Sequence, residues 1–341
     1  MMPDMNRRLV LKSRPDGVPG PEHFDLEEAE IVELGAGKVL VHNVYLSVDP
    51  AQRGWVNAVA NYSTPAAIGE VMRALAVSEV ARSSTDALPM GSFVTGMLGW
   101  QDYVVAEAKT LRRIDPAAAP ISAYLGVLGI NGLSAYFGLL DVCRPKPGET
   151  VVVSTAAGAV GSCVGQIARI GGCRAVGITG GTEKVALCRD VFGYDDAVDY
   201  KGSGNLASDL RTACPDGIDI YFDNTGGAIS DTVMGQINIG ARIVVCGTAA
   251  TANWNPPPTG PRIERTILVK RARMQGFLIF DYADRFEEAT NRLAKWIDDG
   301  RLVYREDITD GIENAPAVLA GLYEGRNTGK ALVRIRPDPT C

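Results

Sequence analysis

Directly after the apolar run Thr150-Val151-Val152-Val153-Ser154 come the small residues Ala156-Ala157-Gly158-Ala159-Val160-Gly161. These open a segment with helical spacing, Val164-Gly165-Gln166-Ile167-Ala168-Arg169. A strand, a tight turn and a helix in that order make an anion site, because the first N–H groups of a helix lack intrahelical partners and the helix dipole favours negative charge there. Gly158 would let the backbone approach a pyrophosphate, and Gly161 would let helix and strand pack closely. The pattern is G-x-G-x-x-G with Ala156 in place of the first glycine. A small-residue turn that merely packs a helix on a strand has the same local look. The position at the start of a strand–helix–strand unit is the context that the dinucleotide reading requires.

A site for NAD would carry an acid roughly 20 residues further on, at the end of the second strand, for the ribose 2′-hydroxyl. Here that strand ends in Thr179-Gly180-Gly181-Thr182, followed by Glu183 and Lys184. No acid stands where it would repel a 2′-phosphate. Lys184 can pair with that phosphate as a point charge; the alternative is a solvated lysine in a first helical turn, with Glu183 as the charge that suits the helix dipole. NADPH is therefore the expected cofactor.

Other chemistries find little support. Catalytic zinc needs a Cys/His/Cys-type trio with an open fourth position. The only histidines are His23 and His42, and no cysteine precedes Cys143. No metal site is expected. The seven cysteines, Cys143, Cys163, Cys173, Cys188, Cys214, Cys246 and Cys341, form no CxxC pair and are expected as reduced, mostly buried thiols. No G-x-S-x-G elbow marks a serine hydrolase, and His42 sits in a predicted strand as a packed residue.

The elements that must position the dinucleotide motif alternate. After Thr150–Ser154, strands are expected at Arg174–Ile178, Ala197–Tyr200, Ile218–Asn224, Arg242–Gly247 and Arg273–Phe280. Helices are expected at Glu183–Val191, Ala228–Ile237 and Arg285–Asp299. Such alternation indicates a doubly wound α/β fold around a parallel sheet. From Met1 to about Ala119 the chain instead has short apolar runs broken by Gly and Pro, such as Lys38–Val44 and Gly91–Gly96, which read as a mostly β domain. The last strand, Ala331–Ile335, can rejoin that domain. The expected organisation is a substrate domain over residues 1–120, a dinucleotide-binding domain over 121–300, and a C-terminal return over 301–341.

A chain of 341 residues suits two domains, each with its own core. With 46% hydrophobic and 22% charged residues it reads as an ordinary globular protein. The net charge of −6, without any basic stripe, argues against nucleic acid or an anionic membrane as partner. No segment reaches the roughly 18 consecutive apolar residues of a membrane span, and Met1–Lys12 has no signal-peptide core. A cytoplasmic location is expected.

Nearly the whole chain resembles the zinc-independent branch of the medium-chain dehydrogenase/reductases that holds prostaglandin reductases, leukotriene B4 dehydrogenases and bacterial curcumin reductases. The resemblance rests on ten segments in order: Tyr45–Pro50, Ile68–Arg73, Gly99–Tyr103, Ala156–Gly161, Gly181–Lys184, Tyr221–Asn224, Val245–Gly247, Gly260–Arg262, Gly276–Ile279 and Asn327–Lys330. It implies a Rossmann domain joined to a GroES-like catalytic domain, a homodimer, and NADPH-dependent reduction of the C=C bond of small α,β-unsaturated carbonyl compounds. In that reaction a hydride goes to the β-carbon and a proton to the α-carbon. Quinone reductases share the fold and cofactor but differ in acceptor, and crystallin-like or RNA-binding relatives keep the cofactor site without the reaction.

Carried onto matching positions, the resemblance places the phosphate loop at Gly158, Ala159, Val160 and Gly161, with Thr179 beside it and Lys184 and Tyr200 on the adenosine 2′-phosphate. Asn224, Cys246, Gly247, Thr248, Phe277, Leu278, Ile279 and Asn327 fall where relatives contact the cofactor. Tyr45, Arg53, Tyr62, Ala252 and Trp254 fall toward the substrate. Tyr62 resembles a tyrosine near the substrate in relatives, whose neutral hydroxyl can donate to a developing enolate; a loop tyrosine packed against its neighbours is the other reading. Two departures stand out. The usual tyrosine after the Cys-Gly is Ala252, with Trp254 close by, and Ala51-Gln52-Arg53 replaces Tyr-Met-Arg.

Overall fold

The computed structural model describes residues 5–58, 63–250 and 258–340. Tyr62, Ala252 and Trp254 lie outside the described residues. The chain divides into two compact units, Met1–Gly126 with Glu306–Cys341, and Val127–Arg305.

The first unit is mostly strand. β1 (Met5–Leu11) and β2 (Phe24–Glu30) form an antiparallel pair. β3 (Lys38–Ser47), β4 (Leu75–Ser83), β5 (Phe93–Met97), β6 (Tyr103–Glu107) and β7 (Arg112–Ile114) make an antiparallel sheet in which β6 pairs with β3. Its core gathers Val39, Val41, Leu46, Met72 and Trp100, each fully buried, with Phe24 packed on Trp100 at 5.3 Å between ring centroids. His42 stacks on Tyr103 at 4.1 Å, and burial pushes its imidazole down to about 4, so it is neutral and structural.

The second unit is the expected doubly wound sheet. β8 (Thr150–Ser154), β9 (Arg174–Thr179), β10 (Asp196–Asp199), β11 (Ile218–Asp223), β12 (Ile237–Val245) and β13 (Arg273–Gly276) are all parallel, in the order β10-β9-β8-β11-β12-β13. Val151, Val152 and Val153 are completely buried, as expected for a central strand covered on both faces. The order reverses between β8 and β11, and ligands of such sheets bind outside the carboxyl ends at that reversal.

Two expectations shift. The helix expected to reach Ile237 spans Gly227–Met234, and the strand expected at Arg242–Gly247 runs instead from Ile237 to Val245, with Ile237 paired to Ile218 in the sheet. An apolar residue at that spacing fits either a helix face or a buried strand, and the register with β11 decided it. β13 ends at Gly276 rather than Phe280, because the Asp281 amide donates to the Leu278 carbonyl and turns the chain into the helical segment Ile279–Arg285.

After the second unit the chain returns to the first through β14 (Glu306–Asp310) and β15 (Lys330–Arg334). These two are parallel to each other, and β15 is antiparallel to β3. The return is locked by Lys330, 3% exposed, whose Nζ donates to Asp49 Oδ1 at 2.6 Å and to the Val48 carbonyl at 3.0 Å. Among the described residues, no helix is long and apolar enough to cross a membrane.

Candidate functional site

The residues expected at the cofactor follow the carboxyl ends of the strands of the parallel sheet. β8 leads into residues 155–161, β9 into 180–184, β10 into Tyr200, β11 into Asn224, β12 into 246–248 and β13 into 277–279. Parallel pairing puts these ends on one edge: Ser154 pairs with Ile178, Asp199 with Thr179, and Asp223 with Val245, which pairs with Gly276.

The turn after β8 is tight. Thr155 has φ +54°, a left-handed conformation that is strained for a β-branched residue and costs about 1–3 kcal/mol. The helix Ala159–Ile170 starts from Gly158, so Ala159 to Gly161 lie in its first turn and their amides face out of the helix start. A Cβ on Gly161 would sit 2.3 Å from the Thr155 carbonyl and 2.8 Å from Ala156 Cα, so only glycine lets the helix press onto the turn. The alanine in place of the first glycine is also explained. A Cβ on Gly177 of β9 would lie 2.7 Å from the Ala156 methyl, so the neighbouring strand supplies the room. The helix is held from its far side by Tyr194, 3% exposed, whose hydroxyl donates to the Gly161 carbonyl at 2.6 Å and whose ring fills the space left by Gly165. Burial raises the Tyr194 phenol well above its usual range, keeping it a neutral donor.

On the other side of the sheet reversal, Asp223 organises the end of β11. Its side chain is buried; Oδ1 accepts from the Thr225 and Gly226 amides at 2.9 Å each, from the Tyr221 hydroxyl at 3.0 Å and from Ser154 Oγ at 3.3 Å. Oδ2 accepts from Ser230 Oγ at 2.6 Å. Asn224 is tied to β8, its main-chain amide donating to Ser154 Oγ at 2.9 Å and its Nδ2 to the Ser154 carbonyl at 2.8 Å. Thr225 and Thr155 share a hydroxyl–hydroxyl hydrogen bond of 2.9 Å, joining this loop to the turn after β8. The stretch after β12 then runs alongside. The amides of Cys246 and Gly247 donate to the Asp223 carbonyl at 2.8 and 3.1 Å, and that of Ala250 donates to the Thr225 carbonyl at 2.8 Å. Burial pushes the Cys246 thiol up to about 12, so it is neutral.

At the end of β9, Thr179 is buried and Lys184 is half-buried in the short helix Thr182–Ala186. The Tyr200 amide donates to the Thr179 carbonyl at 3.0 Å. An acid does stand close by: Asp199 Oδ1 accepts from the Gly181 amide at 2.7 Å and the Lys201 amide at 2.9 Å. The Gly181 amide first, then those of Gly202 and Lys201 and the Lys201 charge, hold this carboxyl below the usual range. It is spent on the turn. Phe277 turns its ring toward Gly138 and edge-on to Tyr282 at 6.2 Å, so its main chain, with that of half-exposed Leu278 and buried Ile279, follows β13.

The first unit holds the remaining candidates. Tyr45 is buried and donates to Asp338 Oδ2 at 3.0 Å. Arg53 is buried in the helix Ala51–Val56, donates from Nε to the Gly17 carbonyl at 3.2 Å and lies 4.5 Å over the Tyr323 ring. Asn327 closes its own turn, Nδ2 to the Gly329 carbonyl at 2.9 Å.

The arrangement in the second unit suits NADPH: a glycine, Gly161, that lets the helix start press onto the turn after β8, a helix start for the pyrophosphate, and lysines rather than a free acid at the second strand end. Reading residues one by one missed Asp223, Thr225, Tyr194 and Lys201. The spacing of Gly161 and Gly165 is the signal that a bulky partner sits on that helix. Among the described residues, no group of three or more His, Cys, Asp or Glu side chains is placed to hold a metal ion.

Residues 7–114 match the family described as "N-terminal domain of oxidoreductase", and residues 159–295 the one described as "Zinc-binding dehydrogenase". The NADPH-dependent curcumin reductase of Escherichia coli (strain K12) is 44% identical over 338 residues, 98% of each chain. The NADP(+)-dependent 2-alkenal reductase of Nicotiana tabacum is 38% identical over 335 residues, 97% of each chain. The crystal structure of CurA in complex with NADPH from Vibrio vulnificus superimposes with a TM-score of 0.93 at 40% identity, covering 97% of this chain and 100% of that one. Identity at this level over the full length, on the same Rossmann and mostly β domains, places the chain in the medium-chain dehydrogenase/reductase family, in the branch of the NADP-dependent curcumin and alkenal reductases.

Proposed function

We propose that this protein is an NADPH-dependent reductase of the C=C bond of small α,β-unsaturated carbonyl compounds, working without zinc in the cytoplasm. The observation that carries the reading is the line of candidate residues along the carboxyl edge of the sheet, in a chain related over its full length to reductases of that kind. The second unit is the dinucleotide-binding domain, and the first, including the return strands, is the substrate domain. Gly158 to Gly161 take the pyrophosphate, with Thr179, Lys184 and Tyr200 at the adenosine end. Asn224, Cys246, Gly247, Thr248 and the main chain of Phe277 to Ile279 take the nicotinamide side; Asn327 is a further cofactor candidate. NADPH, when bound, supplies the reducing hydride. The chain's own part is to hold the alkene in place and to offer donors to the carbonyl oxygen as it gains charge, with Tyr62 the side-chain candidate. Tyr45, Arg53, Ala252 and Trp254 complete the substrate side.

The test is NADPH oxidation against a panel of enones, alkenals and quinones, with and without prolonged chelation. Turnover of enones that survives the chelator is the expected result. Turnover of quinones alone would favour the quinone reductase reading, no turnover with tight NADPH binding a non-catalytic protein, and chelator-sensitive turnover with stoichiometric zinc would refute the metal-free assignment.

A homodimer is part of this proposal. β13 is an edge strand with all four residues exposed, and Leu268, Val269, Met274, Leu278 and Phe280 expose 76, 57, 38, 40 and 53% of their surface around it. An exposed edge strand flanked in sequence by exposed apolar side chains invites pairing with a second chain. Light scattering behind a sizing column should give the mass of two chains, and Val269→Glu with Met274→Glu should give one. A parent that elutes as a monomer at micromolar concentration would end the idea.

A further inference from the structure

The end of β9 holds a second lysine that neither spacing nor resemblance singles out. Gly180 follows Thr179 directly, at the place where a dinucleotide fold presents its ribose-binding residue. A Cβ built there would lie 3.0 Å from Lys201 Cε, 3.1 Å from Lys201 Cδ and 3.0 Å from Tyr200 Cε1. The bare backbone of Gly180 is thus covered by the Lys201 stem and the edge of the Tyr200 ring. The side chain reaches this position because the turn after β10 is pinned. Asp199 Oδ1 takes the amides of both Gly181 and Lys201, so the two strand ends share one carboxylate. Gly202 is part of the same device, since a Cβ there would meet Asp199 Oδ2 at 2.8 Å.

From this we infer that Lys201 is a specificity-determining residue for the adenosine 2′-phosphate, acting with Lys184 and Tyr200. The inference rests on the NADPH reading of the site. Three features divide the work. The Asp199 carboxylate is engaged by the Gly181 and Lys201 amides of the two turns, Gly180 leaves the volume in which a lysine stem can lie flat, and Lys201 brings its ammonium to the strand end. A phosphate at this point meets two lysines from different loops, and its attraction to them is a charge-assisted contact in a partly desolvated place.

The experiment measures binding of two fragments, adenosine 2′,5′-bisphosphate and adenosine 5′-monophosphate, by calorimetry on the full chain at fixed ionic strength. Lys201→Ala should weaken the bisphosphate about tenfold and leave the monophosphate unchanged, while Lys201→Arg should keep most of the affinity. Lys184→Ala should behave like Lys201→Ala, and the double variant should lose nearly all preference between the fragments. Lys109→Ala, an exposed lysine of the other unit, controls for net charge and should change neither. Unchanged thermal denaturation of Lys201→Ala separates a binding role from a folding defect. A parent that prefers the bisphosphate while Lys201→Ala keeps the same preference overturns the role of Lys201 alone. A parent that binds both fragments equally overturns the NADPH reading and this inference with it.

Discussion

Replacing Gly165 by alanine should lower the midpoint of thermal unfolding by several degrees and weaken NADPH binding, although the change only adds one methyl group a helical turn beyond the last proposed pyrophosphate residue, Gly161. The new Cβ would lie 2.1 Å from Tyr194 Cζ, 2.4 Å from Cε2 and 2.6 Å from Cε1. The ring cannot swing away. Its hydroxyl is anchored on the Gly161 carbonyl, and its other edge lies 3.4 Å from the position of a Gly177 Cβ. Either the ring or the helix must shift, and overpacking of that kind costs about 1–3 kcal/mol, occasionally more. A shift of the helix also moves Gly161, whose approach to the Thr155 carbonyl shapes the phosphate turn, so affinity falls along with stability. Tyr194→Leu should partly rescue Gly165→Ala by giving the methyl room, making the double variant more stable than the sum of the two single losses. Calorimetric scans of the four proteins decide the matter; strict additivity would mean the two residues do not share that slot.

The second large effect is expected at Asp223. Asp223→Ala leaves the buried Thr225 amide, the half-buried Gly226 amide and the hydroxyls of Tyr221, Ser154 and Ser230 without their shared acceptor. Each buried donor stranded in this way costs about 1–3 kcal/mol. Some hydroxyls will rotate to new partners, so the total is less than the sum, but more than about 3 kcal/mol of stability should go. NADPH affinity should drop at least about tenfold as the Asn224–Gly226 loop loses its shape and the Thr155–Thr225 link with it. Asp223→Asn should be intermediate. Its carbonyl still accepts from the two amides, whereas its NH2 faces Ser230 Oγ, which can turn to accept. Amide hydrogen exchange at Thr225 and Gly226, read beside the NADPH dissociation constant, distinguishes this from general unfolding. Normal protection of those two amides in Asp223→Ala would show that the carboxylate does not hold the loop.

How much of this could be read residue by residue follows from the range of each interaction. β8 and the small-residue turn after it were legible because a fully covered parallel strand is a continuous apolar run and the glycines follow within a few positions. The alternation of strands and helices, and so the doubly wound sheet, was legible for the same reason. The end of the helix at Met234 and the start of β12 were not. Ile237 satisfies a helical and a strand pattern equally, and its partner Ile218 lies on another strand.

The candidate site divides along the same line. Consecutive residues determined that a small-residue turn links β8 to a helix, that no acid comes directly after β9, that only two histidines are present, and that ten segments in order resemble reductases. Only the tertiary structure decided that Asp223 is the shared acceptor for donors of β8 and the β11 loop, since Ser154 is 69 residues away in the chain. It also decided that Tyr194, 33 residues from Gly161, fills the slot left by Gly165. An aspartate at a strand end reads as a turn residue and a tyrosine before a strand as a core aromatic, because sequence reports a residue's type but not which partners the parallel sheet brings to it. Lys201 shows the same limit at the adenosine end. Its nearness to Gly180 exists because β9 and β10 are paired in register and one carboxylate, Asp199, bridges the two turns that follow them.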